Sequence, residues 1–281
     1  MSGFDAFRYD GKRVLVVGGA TGMGAAAAEL ALDAGAEVLV MDRAPVTLGG
    51  VTVIPLDLAD RASIYAAVQA CGAPLDAVLA CAGVADGTPG IERINFVGHR
   101  YLIECLLAQD RLPRGSAVCF ISSTAGIGWE ANLDALTELL DITDFDKAAR
   151  WMVEHEKADY MGTKQAICAY VAREALAFLK RGVRVNAICP GPTDTPLARA
   201  EDWLSRDFGY REEASIAPTA PVEQAYPLLF LCSQAASAIT GITLMSDVGW
   251  VNSGLTGSYP PASTVANILT GRLPIPPAAE A

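Results

Sequence analysis

Tyr160 and Lys164, in Tyr160-Met161-Gly162-Thr163-Lys164, are the pair in this sequence best suited to moving a proton. On a helix a spacing of four puts both side chains on one face, so the ammonium can lie near the phenol. A free phenol titrates near ~10 and is a poor base at neutral pH. A nearby cation stabilises the phenolate, each pKa unit being about 1.4 kcal/mol. Tyr-x-x-x-Lys occurs by chance in many helices, so the pair gains meaning only from what accompanies it.

Its first companion lies near the start of the chain. The apolar run Val14-Leu15-Val16-Val17 leads into Gly18-Gly19-Ala20-Thr21-Gly22-Met23-Gly24 and then into an alanine-rich helix. Such a turn lets backbone N–H groups and a helix N-terminus meet a pyrophosphate, because glycines remove the Cβ atoms that would block close approach. About twenty residues on, a second apolar run ends in Met41-Asp42-Arg43, where a carboxylate can accept hydrogen bonds from the ribose hydroxyls of NAD. The same carboxylate would repel the 2′-phosphate of NADP, and the glycine loop holds no Lys or Arg to invite it. NAD is therefore favoured, with Arg43 the one signal against. A bound, oxidised nicotinamide would add positive charge near Tyr160.

Composition narrows the alternatives. Of 281 residues, 52% are hydrophobic and 19% charged, and 21 Lys+Arg against 32 Asp+Glu leave a formal charge of −11. A nucleic-acid partner would need a basic face, and no basic run exceeds pairs such as Lys180-Arg181. Two histidines, His99 and His155, and no Cys-x-x-Cys pair disfavour a metal site. The seven cysteines lie mostly in apolar stretches and read as buried small hydrophobes in a reducing, cytoplasmic compartment. Asp5 and Asp10 stand where a signal peptide would be apolar. The uncharged tracts 224–246 and 248–271 are broken by Pro, Gly, Ser, Gln and Asn, so no membrane span is expected. His155 beside a serine would suggest a hydrolase, but no G-x-S-x-G elbow is present, and the Glu154-His155-Glu156-Lys157 run reads as solvated surface. His99 reads as helix packing or surface.

Apolar runs at 13–17, 37–41, 51–56, 77–80, 117–122, 183–188 and 242–246 alternate with helical patterns at 25–34, 63–70, 91–109, 160–180 and 221–233. This alternation predicts an α/β, doubly wound parallel sheet of seven strands with helices on both faces. Together these elements use up nearly the whole chain, so residues 1–281 read as one domain. Residues 126–159 break the rhythm and predict a helical insertion. Leu133, Leu136, Leu139 and Leu140 recur at helical spacing, and Thr143 with Asp146 caps a second helix carrying Phe145, Trp151 and Met152. After Trp250 the C-terminal extension, punctuated by Pro and Gly, is expected to be irregular and frayed at its end.

In this order the motifs resemble those of the short-chain dehydrogenase/reductase family over nearly the full length. The family's T-G-x-x-x-G-x-G corresponds to Val17-Gly18 through Gly22-Met23-Gly24, with Val17 in place of threonine, and Asp57 in Leu56-Asp57-Leu58 matches its adenine-contacting aspartate. N-N-A-G appears as Ala80-Cys81-Ala82-Gly83, without either asparagine. Asn95 matches the asparagine that anchors a proton-relay water, and Ser123, with Ser122 as the one-off alternative, the serine that bonds the substrate oxygen. Pro190-Gly191-Pro192-Thr193-Asp194-Thr195 resembles the segment that seats the nicotinamide, with Ile188 contacting its carboxamide and Thr193 or Thr195 bonding it.

The resemblance implies hydride transfer between an alcohol or ketone and NAD. Tyr160 would act as acid/base, Ser123 would hold the oxygen, Lys164 would lower the phenol's pKa and grip the ribose, and Asn95 with water would link the lysine to solvent. The wide gap between Ser123 and Tyr160 narrows it toward 3α-hydroxysteroid dehydrogenase/carbonyl reductases and coniferyl-alcohol dehydrogenases, hence toward a bulky apolar substrate, steroid-like or, alternatively, an aryl or allylic alcohol. Residues 197–215, with Trp203, Leu204, Phe208 and Tyr210, fall where the family's substrate lid lies. A homodimer or homotetramer is implied, with the insertion beside the helix commonly used for pairing. A dinucleotide sensor that has lost its chemistry is the non-enzyme alternative. Such proteins usually lose the tyrosine or lysine, and both are present.

Overall fold

The computed structural model describes residues 3–274. Seven parallel strands, β1 Arg13–Val17, β2 Glu37–Asp42, β3 Thr52–Pro55, β4 Ala77–Ala80, β5 Ala117–Ile121, β6 Arg184–Pro190 and β7 Thr243–Ser246, form one sheet in the order β3-β2-β1-β4-β5-β6-β7. Val14 and Val16 of β1 pack on one face while Leu15 and Val17 pack on the other, which is why the strand is apolar without interruption. Order reverses between β1 and β4, and in such sheets ligands bind outside the carboxyl ends of the strands at that reversal.

Helices cover both faces. Against one lie α1 Gly22–Asp33 and, late in the chain, α9 Pro221–Cys232, through Ala27, Ala28, Ala31, Ala225 and Leu228. The small alanines let α1 approach the sheet closely. The other face carries α2 Arg61–Ala70, α3 Gly98–Ala108 and α6 Tyr160–Lys180. The predicted helix over 91–109 is divided: a wide π-type turn, Arg93–Val97, precedes α3.

The insertion folds as α4 Leu133–Asp141 and α5 Phe145–Glu154, and the predicted apolar residues Leu136, Leu139, Leu140, Phe145, Trp151 and Met152 join the core beneath α6. Its cap differs from expectation. Asp144, one residue past Thr143, accepts from the Lys147 N–H at 2.9 Å, and Asp146 instead pairs with Arg93 at 2.8 Å. The lid region forms the short helices α7 Pro196–Ala200 and α8 Phe208–Ala214.

The extension after Trp250 is not irregular. It forms α10 Trp250–Thr256 and α11 Ser263–Leu269, held together by Trp250, Val251, Ala262 and Ala266 as a small separate core. Burial of these few side chains overrides the Pro and Gly signals between the helices. The expected frayed end lies outside the described residues. Among the described residues no helix is long and apolar enough to cross a membrane.

Candidate active site

At the carboxyl ends of β1, β2 and β4 lies a cavity of about 260 Å³. Its floor is Gly18, Thr21, Gly22, Met23 and Gly24, its far wall Asp42, Arg43, Asp57 and Leu58, and its near side Ala82, Gly83 and Thr195. The glycine loop is shaped by close approach. Gly18, at φ +85°, lies against the Ala82 backbone, and a Cβ on Gly24 would overlap the Gly18 carbonyl. Thr21 flanks α1 in an extended conformation, and its side chain makes no capping bond, so it does not take up the N–H groups of the first turn. An uncapped helix start of this kind favours an anion.

Asp42 secures both sides of this cavity. One carboxylate oxygen accepts from the Ala20 N–H and the other from the Ala44 N–H, each at 2.8 Å. The charge is thereby fixed at the edge where a ribose would lie. Asp57 is held likewise, its N–H donating to Ser63 Oγ and its carboxylate accepting from the Ala59 N–H. Loop, helix start and carboxylates together suit a dinucleotide.

A second cavity, about 150 Å³, opens from the first, sharing Met23, Cys81, Gly83, Thr195 and Leu197 with it. Ser123, Tyr160, Lys164, Pro190, Gly191 and Thr193 line it. Tyr160 and Lys164 open α6, whose cap, Asp159, accepts from the Gly162 N–H at 2.5 Å. Lys164 is buried, its Nζ donating to the Ile121 carbonyl at 3.1 Å and lying 5.4 Å from the Tyr160 ring centre. Burial pushes its pKa down to about 8.

Burial pushes the Tyr160 phenol up to about 12, against a hydrogen bond with Ser123 and the positive charge of Arg206. The lowering expected from Lys164 is not among these effects, and the cost of burying a phenolate dominates.

The two serines are distinguished by direction. Ser123 faces Tyr160, whereas Ser122 Oγ donates to the Lys164 carbonyl at 2.8 Å and lies 3.2 Å from Cys168 Sγ. Thr193 is buried, donating to the Gly191 carbonyl, while Thr195 caps α7 and borders both cavities. Ile188 lies fully buried within β6 and lines neither cavity.

Asn95 also lines neither. It grips the loop after β4, accepting from the Val84 N–H at 2.8 Å and donating to the Val84 carbonyl at 3.1 Å. His99, buried by α3, has Nε2 2.9 Å from the Ala82 carbonyl. Its burial lowers its pKa to about 4, so the neutral ring donates at Nε2 and steadies the strand end that lacks the family's asparagines. His155 stacks on Trp151 at 4.0 Å and lines no cavity with Ser123.

Of the lid aromatics, Trp203 covers Tyr160, with ring centres 4.9 Å apart, while Phe208 is 63% exposed and Tyr210 bonds the Val248 carbonyl. The extension supplies Trp250, Val265 and Leu269 to the second cavity, which the sequence reading missed. Val265 and Leu269 stand four apart after Pro260-Pro261, a spacing that signals one helical face.

Comparison with known proteins agrees with this geometry. A family model described as NAD dependent epimerase/dehydratase family matches residues 14–171, and one described as Enoyl-(Acyl carrier protein) reductase matches residues 142–251. The 2,5-dichloro-2,5-cyclohexadiene-1,4-diol dehydrogenase of Sphingobium indicum is 30% identical, over 87% of this chain and 98% of its own. Coniferyl-alcohol dehydrogenase of a Pseudomonas species is 27% identical over 85% of this chain and 96% of its own. The 3-alpha-hydroxysteroid dehydrogenase/carbonyl reductase of Comamonas testosteroni is 29% identical over 84% and 95%. A solved structure of 3-alpha-hydroxysteroid dehydrogenase from Pseudomonas sp. B-0831, complexed with NADH, superposes with a TM-score of 0.70 at 27% identity, covering 88% of this chain and 99% of that one. Sheet order, glycine loop and relatives agree: the chain belongs to the short-chain dehydrogenase/reductase family of dinucleotide-binding oxidoreductases.

Proposed function

We propose that the protein interconverts a bulky, mostly apolar secondary alcohol and its ketone with NAD as partner. The observation that carries this reading is the meeting of Ser123, Tyr160 and Lys164 in one largely apolar cavity that opens into the dinucleotide groove. Bound in that groove, the nicotinamide supplies the hydride acceptor or donor. Tyr160 takes the hydroxyl proton in oxidation and returns it in reduction. Ser123 holds the substrate oxygen beside the phenol. Lys164 grips the ribose and keeps positive charge near Tyr160, and Asn95 orders the loop from which a water links the lysine to solvent.

Asp42 makes NAD the preferred dinucleotide, since its fixed carboxylate faces the position of a 2′-phosphate. Wild-type enzyme should use NAD at least tenfold better than NADP in kcat/KM, and Asp42→Ala should erode that ratio. A wild-type ratio near one would reject the assignment.

A hydroxysteroid-like substrate is the first reading. The alternative, an aryl or allylic alcohol, is favoured by the Trp203 ring over Tyr160 and by the modest volume of the cavity. NADH formation over a panel of hydroxysteroids, aryl and allylic alcohols and terpenoid alcohols decides between them, and silence across the whole panel rejects both.

The same reading carries a cytoplasmic, homo-oligomeric enzyme. Its seven cysteines are free thiols, and α4 and α5 lie beside α6, the helix through which the family commonly pairs. Sizing of the full chain should give two or four chain masses, and a single chain mass would overturn the oligomer.

A further inference from the structure

We propose that Arg206 is the specificity-determining residue of the second cavity and that the substrate is a hydroxy acid, with a carboxylate about one ring away from the reacting hydroxyl. The inference rests on the function proposed above and names the substrate class of that same site.

The argument begins with charge. The chain carries a surplus of eleven negative charges, yet the only charged residues among those described as lining this cavity are Lys164 and Arg206. Lys164 is buried and bonded to the Ile121 carbonyl. Arg206 has neither an ion pair nor a side-chain hydrogen bond among the described residues, although nine other arginines or lysines there are matched with carboxylates. Its guanidinium instead lies over Trp203, 5.8 Å from the ring centre.

The backbone that carries Arg206 is held in place, while its side chain is exposed. Arg206 immediately precedes Asp207, which is buried and bonded to Arg211 at 2.6 Å. Arg211 in turn donates to the carbonyls of Ala217 and Pro192 and to Thr219 Oγ1, tying this part of the lid to the segment after β6. A free guanidinium on an anchored lid presents a fork that matches a carboxylate in two parallel hydrogen bonds.

Distance sets the size of the ligand. Trp203 touches both partners, its ring centre 4.9 Å from that of Tyr160 and 5.8 Å from the guanidinium carbon. Those two short steps bound the separation of phenol and guanidinium, and a ligand of one alicyclic or aromatic ring, with a hydroxyl at one end and an anion at the other, matches that span. The walls along that path, Trp203, Trp250, Val265 and Leu269, are apolar. The positive charge of Arg206 also favours the Tyr160 phenolate, in keeping with its place in the lining of the same cavity.

The test compares hydroxycyclohexane carboxylic acids and hydroxymethyl-benzoic acids with their methyl esters, with neutral cyclic alcohols as reference. The ester cancels any effect of Arg206 on Tyr160, since both substrates meet the same phenol. Wild type should favour acid over ester at least tenfold in kcat/KM, mainly through KM. Arg206→Gln should bring that ratio near one, and Arg206→Lys should restore part of it. High salt should narrow it too, because the pair is open to solvent. Esters turned over as well as acids by wild type, or a substitution that raises the KM for NAD and leaves the acid-to-ester ratio intact, would overturn the inference while leaving the oxidoreductase reading in place. No NADH from any alcohol, neutral ones included, would overturn both.

Discussion

Tyr160→Phe should lower NADH formation by about 10²–10⁴-fold, the range supplied by a positioned general acid or base, while NAD binding stays within a few-fold. The phenylalanine ring keeps the contact with Trp203 and removes only the hydroxyl that meets Ser123. In the proposed reading the dinucleotide is held chiefly by the other cavity, which Tyr160 does not line. The direction of the pH dependence follows from burial. A phenol raised to about 12 is almost wholly protonated at neutral pH, so the base form needed for oxidation is scarce and the oxidation rate should climb as pH rises. Reduction needs the protonated form and should not share that climb. Lys164 opposes part of this trend, because an ammonium titrating near 8 loses its charge in the same alkaline range. Steady-state rates in both directions between pH 6 and 10, with the Phe variant beside wild type, check all of it. Wild-type turnover in Tyr160→Phe would remove the tyrosine from the mechanism.

Much of this arrangement is legible in the sequence because it depends on local pattern. β1, β4 and α6 begin and end where their apolar runs and caps say they should, since strands buried on both faces leave a continuous hydrophobic signal. The glycine loop, Asp42 and the Tyr160–Lys164 pair announce themselves by spacing. What the sequence hides is tertiary. His99 reaches Ala82 across seventeen positions, and nothing near either residue marks a bond that replaces the missing asparagines. Asn95 matches a family position by order, but its grip on both polar groups of Val84 appears only once the chain has folded. The helices α10 and α11 are seven residues each, too short for periodicity to outweigh the Pro and Gly between them, and their burial against each other decides the outcome. The cap at Asp144 shows a smaller limit: Thr143 and Asp144 are both good caps, and only the backbone selects one.

The same local pattern makes Gly24 the most demanding position of the cofactor loop. A methyl group there would overlap the Gly18 carbonyl oxygen, a backbone atom that cannot rotate away, and would crowd Cys81. Relief requires the start of α1 to move off the loop, and with it the N–H groups that face the pyrophosphate position. Gly24→Ala should therefore weaken NADH binding more than tenfold in a fluorescence titration. Overpacking of this kind costs about 1–3 kcal/mol, enough to lower the melting temperature by several degrees. Gly49→Ala provides the control, because a Cβ there meets nothing within 4 Å and its backbone is not left-handed. It should leave both readings unchanged. The alanine at 24 also separates two explanations for lost activity. If the loop shapes only the dinucleotide site, saturating NAD should recover part of the turnover, since Ser123 follows the end of β5 and Tyr160 and Lys164 open α6, which lies across the sheet from α1. A Gly24→Ala protein that binds NADH and melts as wild type does would show that the loop has room the backbone geometry denies.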